Sequence, residues 1–223
     1  MTMELSTSRA RRPLMIGRRG ALMTTATTAL LAALPGCNVL PHVNEPVSLY
    51  TLTPKTTYPE GLPPVPWQLV VQTPVSPTSL DTARIALQRT PLTFEYYADA
   101  AWTDNAPQMV QTLLIESFES TGRIVGVGRE SVGLRPDYVL MTDLREFEAI
   151  YDGTNPVPTI WVRMNANLVK VPERRIIASD TFGDKLPAAG GKLPDIVAAF
   201  DEALGHVLKK IVLFTLAAPT QQS

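Results

Sequence analysis

From Trp67 onward the chain switches between two hydrophobic periods, and each switch predicts an element. Trp67 to Thr73 is a β-branched, apolar run bounded by Pro66 and Pro74, which predicts a strand. Arg84 to Gln88 and Phe94 to Tyr97 predict two more short strands, and Pro91 between them suits a hairpin or an edge position. The period then turns helical. Val110, Leu113, Leu114 and Phe118 share one face, Asp104 or Asn105 can cap the start, Pro107 suits the first turn, and Gly122 suits the position just past the end. Arg123 to Gly128 predicts a short strand and Tyr138 to Tyr151 a long one. The long strand changes phase: Leu140 and Leu144 share one parity, whereas Phe147, Ala149 and Tyr151 take the other. A bulge or bend near Arg145 would keep both sets on one face. Next, Ile160, Val162, Met164, Ala166 and Leu168 alternate with Trp161, Arg163, Asn165 and Asn167, the pattern of a half-buried strand. Turns at Asp152-Gly153 and Pro172-Glu173, followed by a strand from Ile176 to Phe182, complete an antiparallel meander. After a small connector, Ala188 to Gly191, a helix from about Leu193 to Phe214 places Ile196, Ala199, Phe200, Ala203, Leu204, Val207, Leu208 and Ile211 on one stripe. Lys209 and Lys210 lie near its C-terminal end, where the helix dipole favours positive charge. The elements predict an α+β domain over residues 67–218, an antiparallel-rich mixed sheet packed by two main helices.

Ahead of this domain the pattern differs. Residues 38–66 hold seven prolines, Pro41, Pro46, Pro54, Pro59, Pro63, Pro64 and Pro66. Proline removes backbone donors and fixes φ, so residues 37–66 read as an extended tether. One island in it, Leu49 to Leu52, has strand character and suits docking on a sheet edge. Further upstream, Arg9, Arg11, Arg12, Arg18 and Arg19 face a single acid, Glu4, before the uncharged run Ala21 to Leu34. A basic start, a short apolar run and small residues before a cut site predict a cleaved secretory signal peptide over residues 1–36. The run is shorter than the roughly 20 apolar residues that span a bilayer. Pro35-Gly36 would break a continuing helix, so an uncleaved anchor or a core helix fits less well.

Leu34-Pro35-Gly36-Cys37 resembles a lipobox, the processing motif of bacterial lipoproteins. That resemblance implies diacylglycerol on the Cys37 thiol, cleavage before Cys37, and acylation of the new amine with a fatty acid such as palmitate. Gly36 supplies the small residue that the cut requires. Several acyl chains give stable membrane anchoring, at about 0.8 kcal/mol per buried CH₂. Asn38, rather than Asp, follows the cysteine, which favours the outer membrane under enteric-type sorting. Arg18-Arg19 resembles a twin-arginine signal, but Gly17 stands where a polar residue is usual, so Sec and Tat export both stay open.

Charge and composition narrow the function further. Removing residues 1–36 takes away five arginines and one glutamate, leaving 15 basic against 20 acidic residues, a net charge of about −5. With no basic tail, nucleic-acid binding has no electrostatic support. One cysteine permits no intramolecular disulfide. The two histidines, His42 and His206, are scattered, which argues against a bound metal. Gly126-Val127-Gly128 fails as a dinucleotide loop because Ser131 occupies the third glycine position. Arg129 likewise removes the first glycine of a nucleophile elbow around Ser131. Glu116 and Glu119 suit a solvated helix face. The expectation is a non-enzyme without a cofactor. Tyr96, Tyr97 and Trp102, with Tyr151 and Trp161, either line an apolar groove or interface, or close the sheet's second face under a helix; the second is simpler.

The series along the chain carries a wider resemblance. Tyr50-Thr51-Leu52 follows the lipobox, then Arg84-Ile85-Ala86, Tyr96 to Trp102, the Met109 to Phe118 helix, Asp137 to Leu140, Leu144 to Ala149, and Val197 to Leu204. Their order is similar to that of the ABC-type transport auxiliary lipoprotein family, which includes the paraquat-inducible lipoprotein. The resemblance implies a non-catalytic partner of an MCE-type substrate-binding protein, in a system that moves phospholipid or other hydrophobic molecules between membranes. It implies a periplasmic site at the outer membrane, with ATP hydrolysed by a separate subunit. Cys37 is the one chemically specified position carried over. A stand-alone lipoprotein that binds a hydrophobic ligand or assists envelope assembly is the alternative, and homo-oligomerisation is left open.

Overall fold

The computed structural model describes residues 47–130, 135–153 and 155–218. Ten elements follow one another: β1 (Ser48–Tyr50), β2 (Val65–Val71), β3 (Arg84–Gln88), β4 (Glu95–Trp102), α1 (Ala106–Ser120), β5 (Ile124–Gly128), β6 (Tyr138–Ile150), β7 (Thr159–Lys170), β8 (Arg175–Pro187) and α2 (Leu193–Ala217). The eight strands form one mixed sheet and both helices pack on it, so the fold is α+β.

β6 organises the sheet. One of its edges pairs with β7 along nearly its whole length, and β7 pairs with β8, giving the antiparallel meander. The other edge is shared. β2 runs parallel to its first part, Leu69 opposite Tyr138, and Val75 extends that pairing by hydrogen bonds to Thr142 and from Leu144. β3 then runs parallel to its last part, Ala86 opposite Glu148. The chain leaves β6 between these two stretches, where the β6–β7 register slips between Leu144 and Glu146. Arg145 is the extra residue, as the phase change predicts. The bulge keeps Leu140 and Leu144 on the same buried face as Phe147 and Ala149.

That face carries the core. Ile160, Val162, Met164, Ala166 and Leu168 of β7 pack under the apolar stripe of α2, and α1 covers β2 and β5. Gln111 and Ser117 are the buried polar residues of α1; Gln111 Nε2 donates to the carbonyl of Val71 at 2.9 Å, fixing the helix to the end of β2.

β4 extends past the predicted Tyr97 to Trp102 through an irregularity in its pairing with β3. Asp99 lies there with φ of 54°, a left-handed backbone that Asp tolerates better than most residues. Strict alternation would put Tyr96 and Trp102 on one face. The irregularity turns Trp102 inward, where its ring meets Phe147 at 5.6 Å and Phe200 at 5.3 Å.

The island Leu49 to Leu52 docks on a sheet edge: β1 pairs parallel to β4, and Leu52 is buried. The chain that follows is a strap across both helices. The backbone N–H and Oγ1 of Thr53 donate to Asp201 of α2 at 2.6 and 2.9 Å. Lys55 N–H donates to Ser117 Oγ of α1 at 2.9 Å, and Tyr58 Oη donates to the Ser117 carbonyl at 3.0 Å. The prolines keep this stretch extended, and side chains of the helices satisfy its donors.

Candidate functional site

Cys37, the lipobox and His42 lie outside the described residues. Within them, the surface chemistry concentrates on the sheet face turned away from the helices. The registers align Tyr96, Ala86, Glu148, Trp161 and Lys185 in one row across five strands. Lys185 Nζ lies 3.9 Å from the centroid of the Trp161 ring, and Arg163 Cζ lies 5.5 Å from it. Arg84 stacks on Tyr96 at 3.8 Å, and Tyr96 Oη donates to the Ser79 carbonyl at 3.0 Å. In the adjacent row Arg163 makes a two-point hydrogen-bonded ion pair with Glu146.

Glu148 stands apart in this row. It is 3 % exposed, and its Oε2 accepts the Phe147 N–H at 2.6 Å. Burial pushes its carboxyl up to about 7; the Phe147 N–H pulls the other way, Glu146 raises it further, and Arg163 and Lys185 lower it. Sequence reading missed it, because the parity past the bulge puts it on the outer face and gives no sign of burial.

The aromatic residues separate. Trp102 closes the core under α2, the simpler of the two readings. Tyr97 and Tyr151 bond to each other through their hydroxyls at 2.8 Å, and burial first, then that bond, raises the Tyr97 hydroxyl above its ordinary range. Trp161 remains on the outer face beneath two cations.

The other residues weighed from sequence fall as follows. His206 is tied through Nδ1 to Asp184 Oδ2 at 2.7 Å, a link between α2 and β8. Gly126, Val127 and Gly128 lie in β5, a strand rather than a loop. Glu116 and Glu119 are exposed on α1 and line a cleft of about 340 Å³ with Ile115, Val127 and Gly128. A second cleft, of about 410 Å³, lies by Gln72, Thr73, Gln111 and Arg129. Among the described residues no helix is long and apolar enough to cross a membrane.

A family model, the ABC-type transport auxiliary lipoprotein component, matches residues 49–212, from β1 through most of α2. The chain belongs to this family. The matched range takes in the strap and most of both helices. Among solved structures, protein XCC0632 from Xanthomonas campestris is 32% identical, with a TM-score of 0.74, over 78% of this chain and 98% of that one. An uncharacterized protein of known structure shares the fold at 16% identity and a TM-score of 0.60, over 76% of this chain and 98% of its own. Uncharacterized protein bll6063 of Bradyrhizobium diazoefficiens is 32% identical over 126 residues, which are 55% of this chain and 32% of that relative. The matched segment thus spans about a third of that curated relative's length.

Proposed function

We propose that this auxiliary lipoprotein is a non-catalytic periplasmic component of an MCE-type ABC transport system, held at the outer membrane by lipid on Cys37. The observation that carries this reading is the family match across residues 49–212. The signal pattern of residues 1–36 and the lipobox at Leu34 to Cys37 support the lipid anchor. Residues 37–66 then serve as the tether, whose part from Ser48 onward is laid on the domain. Between Cys37 and Ser48 an extended chain reaches at most about 35–40 Å, which bounds how far the domain stands from the lipid.

The test is recovery of the tagged full-length protein from its own membranes in mild detergent. An MCE-domain protein should co-purify, and deletion should disturb outer-membrane lipid composition. If complex assembly and lipid composition both survive deletion, the reading fails. Cys37→Ser should fold normally yet leave the membrane fraction; a variant still bound to membrane would refute the anchor.

A further inference from the structure

Among the described residues the sheet has three unpaired edges, β1, β5 and β8, and they are protected unequally. A free edge offers unpaired N–H and C=O groups to any extended chain, and proteins usually blunt it with charge, proline, shortness or cover. β1 is only three residues long. β8 carries Arg175, Asp180, Asp184 and Lys185, and Lys210 of α2 donates to its Gly183 carbonyl at 2.9 Å. β5 is longer than β1 and lacks the charge and proline found in β8. Its five residues, Ile124 to Gly128, are uncharged and contain no proline, and Val125 is 70 % exposed. β2 pairs with one side of β5 only.

The cleft of about 340 Å³ lies beside this edge. Its walls are Thr112, Ile115, Glu116 and Glu119 on the flank of α1 and Val127 to Arg129 of the β5 segment. No β2 residue lines it, so it opens on the side of β5 away from β2. Ile115 and Val127 supply an apolar floor. Glu116 and Glu119 have no cationic partner among the described residues. Arg129, by contrast, is tied to Thr112 Oγ1 at 2.5 Å and closes one end.

We infer that the β5 edge and this cleft form a docking site for an extended segment of another protein. The segment adds a strand to β5, seats an apolar side chain on Ile115 and Val127, and presents a lysine or arginine to Glu116 and Glu119. Side chains two apart share a face of a strand, so the recognised pattern is apolar, any residue, basic. Backbone hydrogen bonds supply affinity and the alternate side chains supply selectivity, as in other cases of strand addition. A second copy carries the same pattern in Val127-Gly128-Arg129, but Arg129 is tied to Thr112 of its own chain, so a partner with an unengaged cation fits the two glutamates better. This assignment stands independently of the transport reading.

The experiment is selection of a phage-displayed library of random linear peptides on the full-length chain in detergent. Synthetic copies of the enriched peptides are then measured by fluorescence anisotropy and amide hydrogen exchange. The expected result is an apolar-x-basic consensus that protects amides of Ile124 to Gly128. Affinity should fall roughly tenfold or more in Glu116→Lys/Glu119→Lys, where both exposed changes spare the core. Enrichment without that consensus, unchanged affinity in the double variant, or protection confined to other strands overturns the assignment. Concentration-dependent protection of the same amides without peptide overturns it too, since a second copy would then fill the edge.

Discussion

The two faces of the β6–β7–β8 meander are built from the same strands, yet one is dry and the other is wired with polar contacts. Under α2, Phe147, Ala149, Ile160, Val162, Met164, Ala166 and Leu168 are buried with Trp102 and Phe200. On the other face, Glu146 pairs with Arg163, Asn167 Nδ2 donates to Asn165 Oδ1 at 2.9 Å, and Ser179 Oγ donates to Asn167 Oδ1 at 2.6 Å. The helix face draws its stability from apolar area removed from water, whereas exposed polar pairs contribute little each. Glu148 blurs the division: it belongs to the polar face by register and to the interior by burial.

The largest test of this contrast is Phe200→Ala. Phe200 meets Trp102 at 5.3 Å and Phe147 at 5.1 Å and is fully buried, so its loss should cost about 3–5 kcal/mol in chemical denaturation. A loss below about 1 kcal/mol would mean the aromatic cluster is not the stabilising side.

Glu148→Gln comes next. The folded carboxyl, pushed up to about 7 from 4.5, holds a proton that the unfolded chain has already released in that window. Stability therefore falls as pH rises from about 4.5 to about 7. The glutamine variant should lose this slope and, well above pH 7, exceed the parent by about 3 kcal/mol. Parallel pH profiles of the two proteins would place Glu148 among the solvated residues of the outer face.

The smallest effect is expected at Glu146 and Arg163. A double-mutant cycle to alanine should give a coupling of about 0.5–1 kcal/mol, because the pair is only partly withdrawn from water. A coupling comparable to the Phe200 loss would reverse the comparison.

Much of the fold was legible because it is written in local periods. The Arg145 bulge follows from the parity change between Leu144 and Phe147, and the meander from Asp152-Gly153, Pro172-Glu173 and the strict alternation after Ile160. Both helices follow from their stripes. The functional surfaces were less legible. No local pattern marks Glu148 as buried, strict alternation puts Trp102 with Tyr96 where the Asp99 irregularity separates them, and no local pattern marks which edge of β5 is unpaired among the described residues. Asp201 and Ser117 looked like ordinary helix residues, yet they hold the strap.

The sequence by itself determined the order and type of the elements and which side chains of each strand share a face. These depend on residues within a few positions of one another. Only the tertiary structure decided that β2 and β3 divide one edge of β6, that a proline-rich segment clamps both helices, and that, among the described residues, β5 has one unpaired edge near Glu116 and Glu119. Parallel pairing and edge exposure depend on which distant segment arrives at each strand, and no local period encodes that.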